Sequence, residues 1–457
     1  MTPLTIDFNH ATLAQLGPHG LSRADFDALA PVARAAHQSL TARRAAGKVA
    51  FMDLPFDAAA AKAAKDLAAE LGRYENLVVL GIGGSSLGAK ALFTALCHPF
   101  HNLLTAAKRR GARLFFPDNS DPATFSALLE TLDLSQTAVA AVTKSGGTAE
   151  TWAQLLVVQD RLGGRAKQQI VAVTDPMKGA LRQVANAQGW RTLSVPPPVG
   201  GRFSVLTAVG LLPAAAAGID VDELLAGAGE MARRCEKAGL FENPAYLFAA
   251  TLHLFDRKQG RPIHVFMPYA DALRETADWF VQLWAESLGK TLPTKEHVGP
   301  TPVRAVGATD QHSLLQLLMD GPEDKVVVFV TLDRPRQDLP IPKAFPEVPE
   351  VAYLGGRSFH QLLAAEQKAT AAALAANGRP SITVRLPALT PHALGELMML
   401  LEVATAFAGP LYGVDPYDQP GVEAGKRYAC ALMGRPGFED AHAELKGRPP
   451  PSQEWVL

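Results

Sequence analysis

The stretch Thr143-Lys144-Ser145-Gly146-Gly147-Thr148-Ala149-Glu150-Thr151 collects hydroxyls, one ammonium and two glycines in a short span. An apolar run, Ala138–Val142, precedes it and reads as a buried strand, and Trp152–Arg161 follows as a helix. At such a junction two glycines let the backbone turn with its N–H groups exposed. The hydroxyls of Thr143, Ser145 and Thr148, the Lys144 ammonium and a helix N-terminus can then face one small volume, which suits a dianionic phosphate. The competing reading is an ordinary strand–helix turn rich in small polar residues.

Further sets could do chemistry. In Pro196-Pro-Pro-Val-Gly200-Gly201-Arg202-Phe203-Ser204, glycines let the backbone approach a ligand, and Arg202 offers the fixed fork of donors that oxyanions favour. The alternative there is a linker with a surface arginine. In Asp278–Lys290, Gln282 and Glu286 stand four apart on one face of a helix ending at Gly289, among Trp279, Leu283 and Trp284. Glu286 is thus a candidate general base, weighed against an exposed glutamate near a helix end. Glu423 and Lys426, three apart, could simply pair on a helix. His312 follows Gly307-Ala-Thr-Asp-Gln, and a single histidine there proves little. Cys97-His98-Pro-Phe-His101 is the one local set resembling metal ligands, at a spacing that matches no zinc pattern.

Leu77–Gly81 reads as a strand, and Gly81-Ile-Gly-Gly-Ser-Ser-Leu-Gly88 leads from it into a helix. This is not a dinucleotide fingerprint: the sixth position is Ser86, and no Asp or Glu lies between Asn76 and Pro117. It is not a P-loop either, since Ala89 follows Gly88. Either it lets backbone come close to a small polar ligand or it is a tight turn that binds nothing.

Further strands are expected at Arg113–Phe116, Gln169–Thr174 and Arg191–Val195, and in a second half at Ile263–Met267, Val303–Val306, Lys325–Thr331, Val351–Leu354 and Ser381–Leu386. Helical segments separate them, the pattern of α/β units with parallel sheets. The halves read as distant copies of one fold, without a residue-level repeat. Residues 1 to about 75 read as helical and Ala-rich, and the tail from Gly434 as irregular. The 457 residues suffice for two or three domains, and a net charge of −1 argues against a nucleic-acid partner. Three scattered cysteines fit a reducing cytoplasm. No basic start followed by an apolar run marks a leader, and neither Val205–Ile219 nor Ala393–Ala408 reaches the length of a membrane span.

Five stretches, in order, resemble the glucose-6-phosphate isomerase family: Gly81–Ser85, Thr143–Thr148, Val199–Ser204, Gln282–Lys290 with Thr309–His312, and Asp418-Gln-Pro-Gly-Val-Glu-Ala-Gly-Lys426. The resemblance covers about residues 75–430 and implies two sugar-isomerase (SIS) α/β/α sandwich domains with mostly parallel five-stranded sheets. The implied division is a helical arm at 1–55, a first SIS domain at 56–215, a helical connector at 216–250, a second SIS domain at 251–435 and a tail at 436–457. By resemblance, Thr143, Lys144, Ser145 and Thr148 would hold a sugar phosphate, and Gly84, Ser85 and Gly201 would line the same pocket. Glu286 would shuttle a proton between C2 and C1, Arg202 would stabilise the enediolate, and Gln282 and Gln419 would contact substrate. His312 and Lys426 would open the sugar ring, with His312 supplied by the neighbouring subunit of a homodimer. Such chemistry asks for no metal, nicotinamide or ATP. Glu150 is expected to buttress the phosphate loop. Pro-Pro-Pro-Val before Gly200 departs from the family, as does Ala-Thr-Asp-Gln before His312. A broader substrate range that includes mannose 6-phosphate stays open, as does a SIS-type sensor that binds sugar phosphate without turnover.

Overall fold

Apolar runs form the centres of two sheets, because a strand covered on both faces leaves little room for polar side chains. In the computed structural model, which describes residues 2–457, β1 (Thr5–Asp7) comes first. The first sheet holds β2 (Asn76–Leu80), β3 (Arg113–Phe115), β4 (Thr137–Val142), β5 (Ile170–Thr174) and β6 (Arg191–Ser194). Its order is β3-β2-β4-β5-β6, all parallel. Then come β7 (Ile263–Pro268), a short antiparallel pair β8 (Lys290–Thr291) and β9 (His297–Val298), β10 (Thr301–Arg304), β11 (Lys325–Arg334) and β12 (Ser381–Ala388). The second sheet runs β1-β12-β11-β7-β10, parallel except for the β1 edge. This is the α/β architecture with two five-stranded, mostly parallel sheets expected from the sequence.

The orders β3-β2-β4-β5 and β10-β7-β11-β12 are the same topology, so the two halves repeat one winding even though their sequences do not. Helix Leu87–Leu96 after β2 and helix Arg274–Leu288 after β7 occupy equivalent positions in that winding.

Three expectations are corrected. Val351–Leu354 is not a strand: Pro349–Ala352 is a helical turn, with proline in its first turn and Val351 and Tyr353 exposed. The fifth strand of the second sheet is instead β1, inside the region read as helical. Arg385 pairs with Asp7 at 2.8 Å to hold it. The tail from Gly434 contains a helix, Glu439–Lys446.

The chain divides into two compact units, Met1–Pro416 and Tyr417–Leu457. The second is a helical pair, Glu423–Leu432 and Glu439–Lys446, joined by Arg427 and Tyr428 on Glu444. The first contains both sheets and helix Pro391–Tyr412. That helix is longer than the apolar stretch suggests, enough by length and composition to cross a membrane, but it is almost wholly buried within the unit.

Glu402 sits on that helix, fully buried, with both carboxyl oxygens unpartnered among the described residues. Burial holds its pKa well above the usual carboxylate range. The unfolded chain therefore releases this proton as pH rises through the ordinary carboxylate range while the folded chain keeps it, so stability falls over that window and above it. Glu402→Met is expected to stabilise the protein by about 1–3 kcal/mol at neutral pH. It should also flatten this pH dependence in urea titrations run at acidic and neutral pH.

Candidate active site

In a parallel sheet, ligand crevices open at the carboxyl ends of the strands where successive connections diverge. From β2 the chain passes to β3 on one side and then to β4 on the other. The loops after β2 and β4, glycine-rich and phosphate-like respectively, flank that point, and the loop after β6 opens at the same end.

The glycine-rich loop and the Arg202 loop pack backbone to backbone. A Cβ on Gly84 would lie 2.3 Å from the Gly201 carbonyl carbon, so only glycine permits this approach. Ser204 Oγ donates to Gly201 O at 2.6 Å and lies 3.2 Å from Gly84 O, between the two loops. Arg202 follows directly and is 3% exposed. Its Nε donates to Ser287 Oγ at 2.7 Å and its Nη2 to Pro416 O at 2.5 Å, which aims Nη1 to 3.5 Å from Glu286 Oε2.

Glu286 comes from helix Arg274–Leu288. That helix buries Trp279, Leu283 and Trp284 in the core and turns Gln282 and Glu286 outward, as the four-residue spacing predicts. Trp284 Nε1 donates to His264 Nδ1 at 3.1 Å on the buried side. Burial pushes His264 down to about 3, so it stays a neutral acceptor. Lys290 Nζ caps the helix end, donating to Glu286 O at 2.7 Å and Ser287 O at 2.9 Å. Lys90, on helix Leu87–Leu96, bridges Asp118 at 3.0 Å and Glu275 at 3.4 Å and so fixes the two equivalent helices together. Gln282 Nε2 lies 3.3 Å from the same Glu286 Oε2. One carboxylate oxygen thus faces two donors, and Oε1 has no hydrogen bond among the described residues.

In the phosphate-like loop, Thr143 Oγ1 lies 2.8 Å from Thr148 Oγ1 and 3.3 Å from Ser145 Oγ. The three hydroxyls cluster where helix Ala149–Leu162 begins. Gly146, at φ +73°, makes the turn, and Trp152 Nε1 locks it by donating to Gly146 O at 2.8 Å. Thr174 Oγ1 fixes the strand end through Thr143 O at 2.7 Å. Lys144 Nζ reaches sideways to Pro197 O and Val199 O, each at 2.7 Å. Ser85 is half-buried in the turn Gly83–Ser85. Glu150 makes no side-chain hydrogen bond or ion pair among the described residues, so the expected buttressing of this loop is not seen.

Gly84, Gly201, Arg202, Gln282 and Glu286 therefore come together. His312 does not join them by any hydrogen bond. Its loop is pinned by Asp310, which accepts from Val306 N at 2.7 Å and Ser313 Oγ at 2.8 Å, and by Gln311, which donates to Tyr269 Oη at 2.6 Å and Thr370 Oγ1 at 2.7 Å. His312 is left exposed between these anchors. In the second unit, Gln419 and Lys426 are exposed, and Lys426 Nζ pairs with Glu423 at 3.1 Å, as helix spacing allows. In the Cys97–His101 set, His98 Nδ1 accepts from Phe100 N at 3.0 Å, His101 Nε2 lies 3.0 Å from Ala112 O, and burial pushes the Cys97 thiol up to about 12. No group of three or more His, Cys, Asp and Glu side chains able to hold a metal occurs among the described residues.

Ser287 and the Pro416 carbonyl, which aim Arg202, were not foreseen. A serine beside a candidate base and a backbone oxygen carry no residue-type mark.

Residues 67–444 match the family described as phosphoglucose isomerase. A glucose-6-phosphate isomerase of Carboxydothermus hydrogenoformans is 43% identical over 451 residues, 97% of each chain. One of Rubrobacter xylanophilus is 52% identical over 368 residues, 79% of this chain and 83% of that protein. A crystal structure of a hypothetical protein from Thermus thermophilus superposes with a TM-score of 0.85 at 37% identity, covering 94% of this chain and 99% of that one.

Proposed function

The chain belongs to the phosphoglucose isomerase family, and from that premise we propose that its substrates are glucose 6-phosphate and fructose 6-phosphate, interconverted through a cis-enediolate. The protein is an isomerase of central carbon metabolism, and its substrate is a small sugar phosphate. The observation that carries the proposed mechanism is the approach of Arg202 Nη1 to Glu286 Oε2 beside the Gly84–Gly201 contact.

The Thr143, Ser145 and Thr148 hydroxyls with the loop amides hold the phosphate, as Ser85 and Gly84 line the pocket. His312 and Lys426, taken from the resemblance, move the proton from the anomeric hydroxyl to the ring oxygen, opening the ring. Glu286, through Oε1, takes the C2 proton of the open aldose. The bonding pair forms the C1–C2 double bond, and charge collects on O1, where Arg202 stabilises it. A proton passes from O2 to O1, and the Glu286 proton returns to C1, giving the ketose. Gln282 and Gln419 contact the sugar hydroxyls.

Purified, chelator-treated protein should convert fructose 6-phosphate to glucose 6-phosphate in a dehydrogenase-coupled assay. Absence of turnover with sugar phosphate still bound would favour a sensor.

The proposal includes a homodimer in which His312 serves the neighbouring subunit. Its exposure on a pinned loop supports that reading. Glu286→Gln and His312→Ala are each expected to keep only a small residue of activity alone. After unfolding and refolding together they should regain about one quarter of wild-type activity, since half the dimers then hold one intact site. No recovery would argue that each chain supplies its own histidine. A cytoplasmic location is part of the same reading, supported by free Cys97, Cys235 and Cys430.

A further inference from the structure

Lys144 lies in the phosphate loop, and its side-chain contacts lead away from that loop. The two bonds to Pro197 O and Val199 O are short and charge-assisted. Neither carbonyl has another donor among the described residues. Prolines at 196–198 remove three N–H groups from this segment, so it cannot be held by ladder pairing and needs donors from elsewhere. The two loops start on strands that are not neighbours: β5 lies between β4 and β6. Their ends stand about 10 Å apart, two strand spacings, which a lysine side chain and the backbone around it can bridge. The charged groups beside the ammonium at the end of β5 are Asp175 and Lys178. The Asp175 carboxylate already accepts from Met177 N at 2.9 Å and Lys178 N at 3.1 Å. Three residues beyond Val199 comes Arg202, with its guanidinium on Glu286.

We propose that Lys144 is a positioning residue and not a ligand of the phosphate: its ammonium straps the phosphate loop to the Pro196–Arg202 segment, so that seating the phosphate and aiming Arg202 at the reacting oxygen become one mechanical event. Reaching a phosphate would strip both carbonyls of their donor, whereas the Thr143, Ser145 and Thr148 hydroxyls already cluster where helix Ala149–Leu162 begins. This inference rests on the isomerase reading, so wild-type turnover is established first, and failure of that reading is seen separately.

The test uses Lys144→Met and Lys144→Arg in the full chain, checked for folding by thermal denaturation. Two quantities are compared: kcat for fructose 6-phosphate, and the dissociation constant of inorganic phosphate by calorimetric titration. A strap predicts that Lys144→Met loses about 10²-fold in kcat, as a misaimed Arg202 would cause. Phosphate affinity should stay within about threefold, because the removed group does not touch the anion. Lys144→Arg should recover most of the loss, since its guanidinium reaches the same carbonyls. A rise of about tenfold or more in the phosphate dissociation constant, with or without a fall in kcat, would make Lys144 a ligand and overturn the proposal. Unchanged kcat would overturn it as well. Should the Met variant fail to fold, Lys144→Gln carries the same two readouts.

Discussion

Glu286→Gln is expected to lower kcat by about 10²–10⁴-fold, the range a positioned general base contributes. The amide keeps the shape of the carboxylate and its place beside Gln282 and Arg202, so the fold and the phosphate loop should be untouched. Removing a negative charge 3.5 Å from Arg202 also leaves that guanidinium more available to anions. A five-carbon sugar acid phosphate that mimics the enediolate should therefore bind as well as, or better than, it binds wild type. Stopped-flow or coupled kinetics with calorimetric titration of the mimic gives both numbers. Wild-type turnover in this variant would remove Glu286 from the role of base.

Arg202→Lys carries the second large effect, a loss of about 10²–10³-fold in kcat, the scale of losing one preorganised oxyanion donor. The reason is geometric. Arg202 directs Nε to Ser287, Nη2 to the Pro416 carbonyl and Nη1 to the Glu286 side of the site, from a buried position. A single ammonium cannot address three directions fixed by one plane. Leaving Ser287 Oγ or Pro416 O without its donor should also lower stability by about 1–3 kcal/mol. Calorimetric unfolding reports the second effect and steady-state kinetics the first. A lysine variant that turns over at the wild-type rate would show that charge alone, and not the fork, serves the site.

The strands were legible where burial forces a run of apolar residues, as in Ala138–Val142 and Lys325–Thr331. They were not legible where the sheet partner makes the strand. β1 is three residues with no alternation, and it is a strand because β12 and the Arg385–Asp7 pair hold it. Val351–Leu354 is apolar enough for a strand, but Pro349 begins a helical turn and no sheet edge reaches the segment. The candidate site was legible as far as residue types mark it: clustered hydroxyls, glycines at close approaches, and an arginine and a carboxylate on opposed elements. What escaped were bonds to backbone oxygen. Lys144 reads from sequence as an anion binder because its partners, two carbonyls, leave no trace in residue identity. The contact of Gly84 with Gly201 depends on how two loops distant in sequence fold against each other. The role of His312 depends on a neighbouring subunit in the proposed reading, which no single chain can display.

The most direct test of proton transfer through Glu286 follows the fate of deuterium placed at C2 of glucose 6-phosphate during its conversion in ordinary water. Base-mediated transfer through an enediolate predicts that part of the label appears at C1 of fructose 6-phosphate and part is lost to solvent, and that Glu286→Gln slows both transfer and exchange as much as it slows turnover. Complete retention of label at C1 with no exchange, or exchange at the wild-type rate in Glu286→Gln, would contradict it.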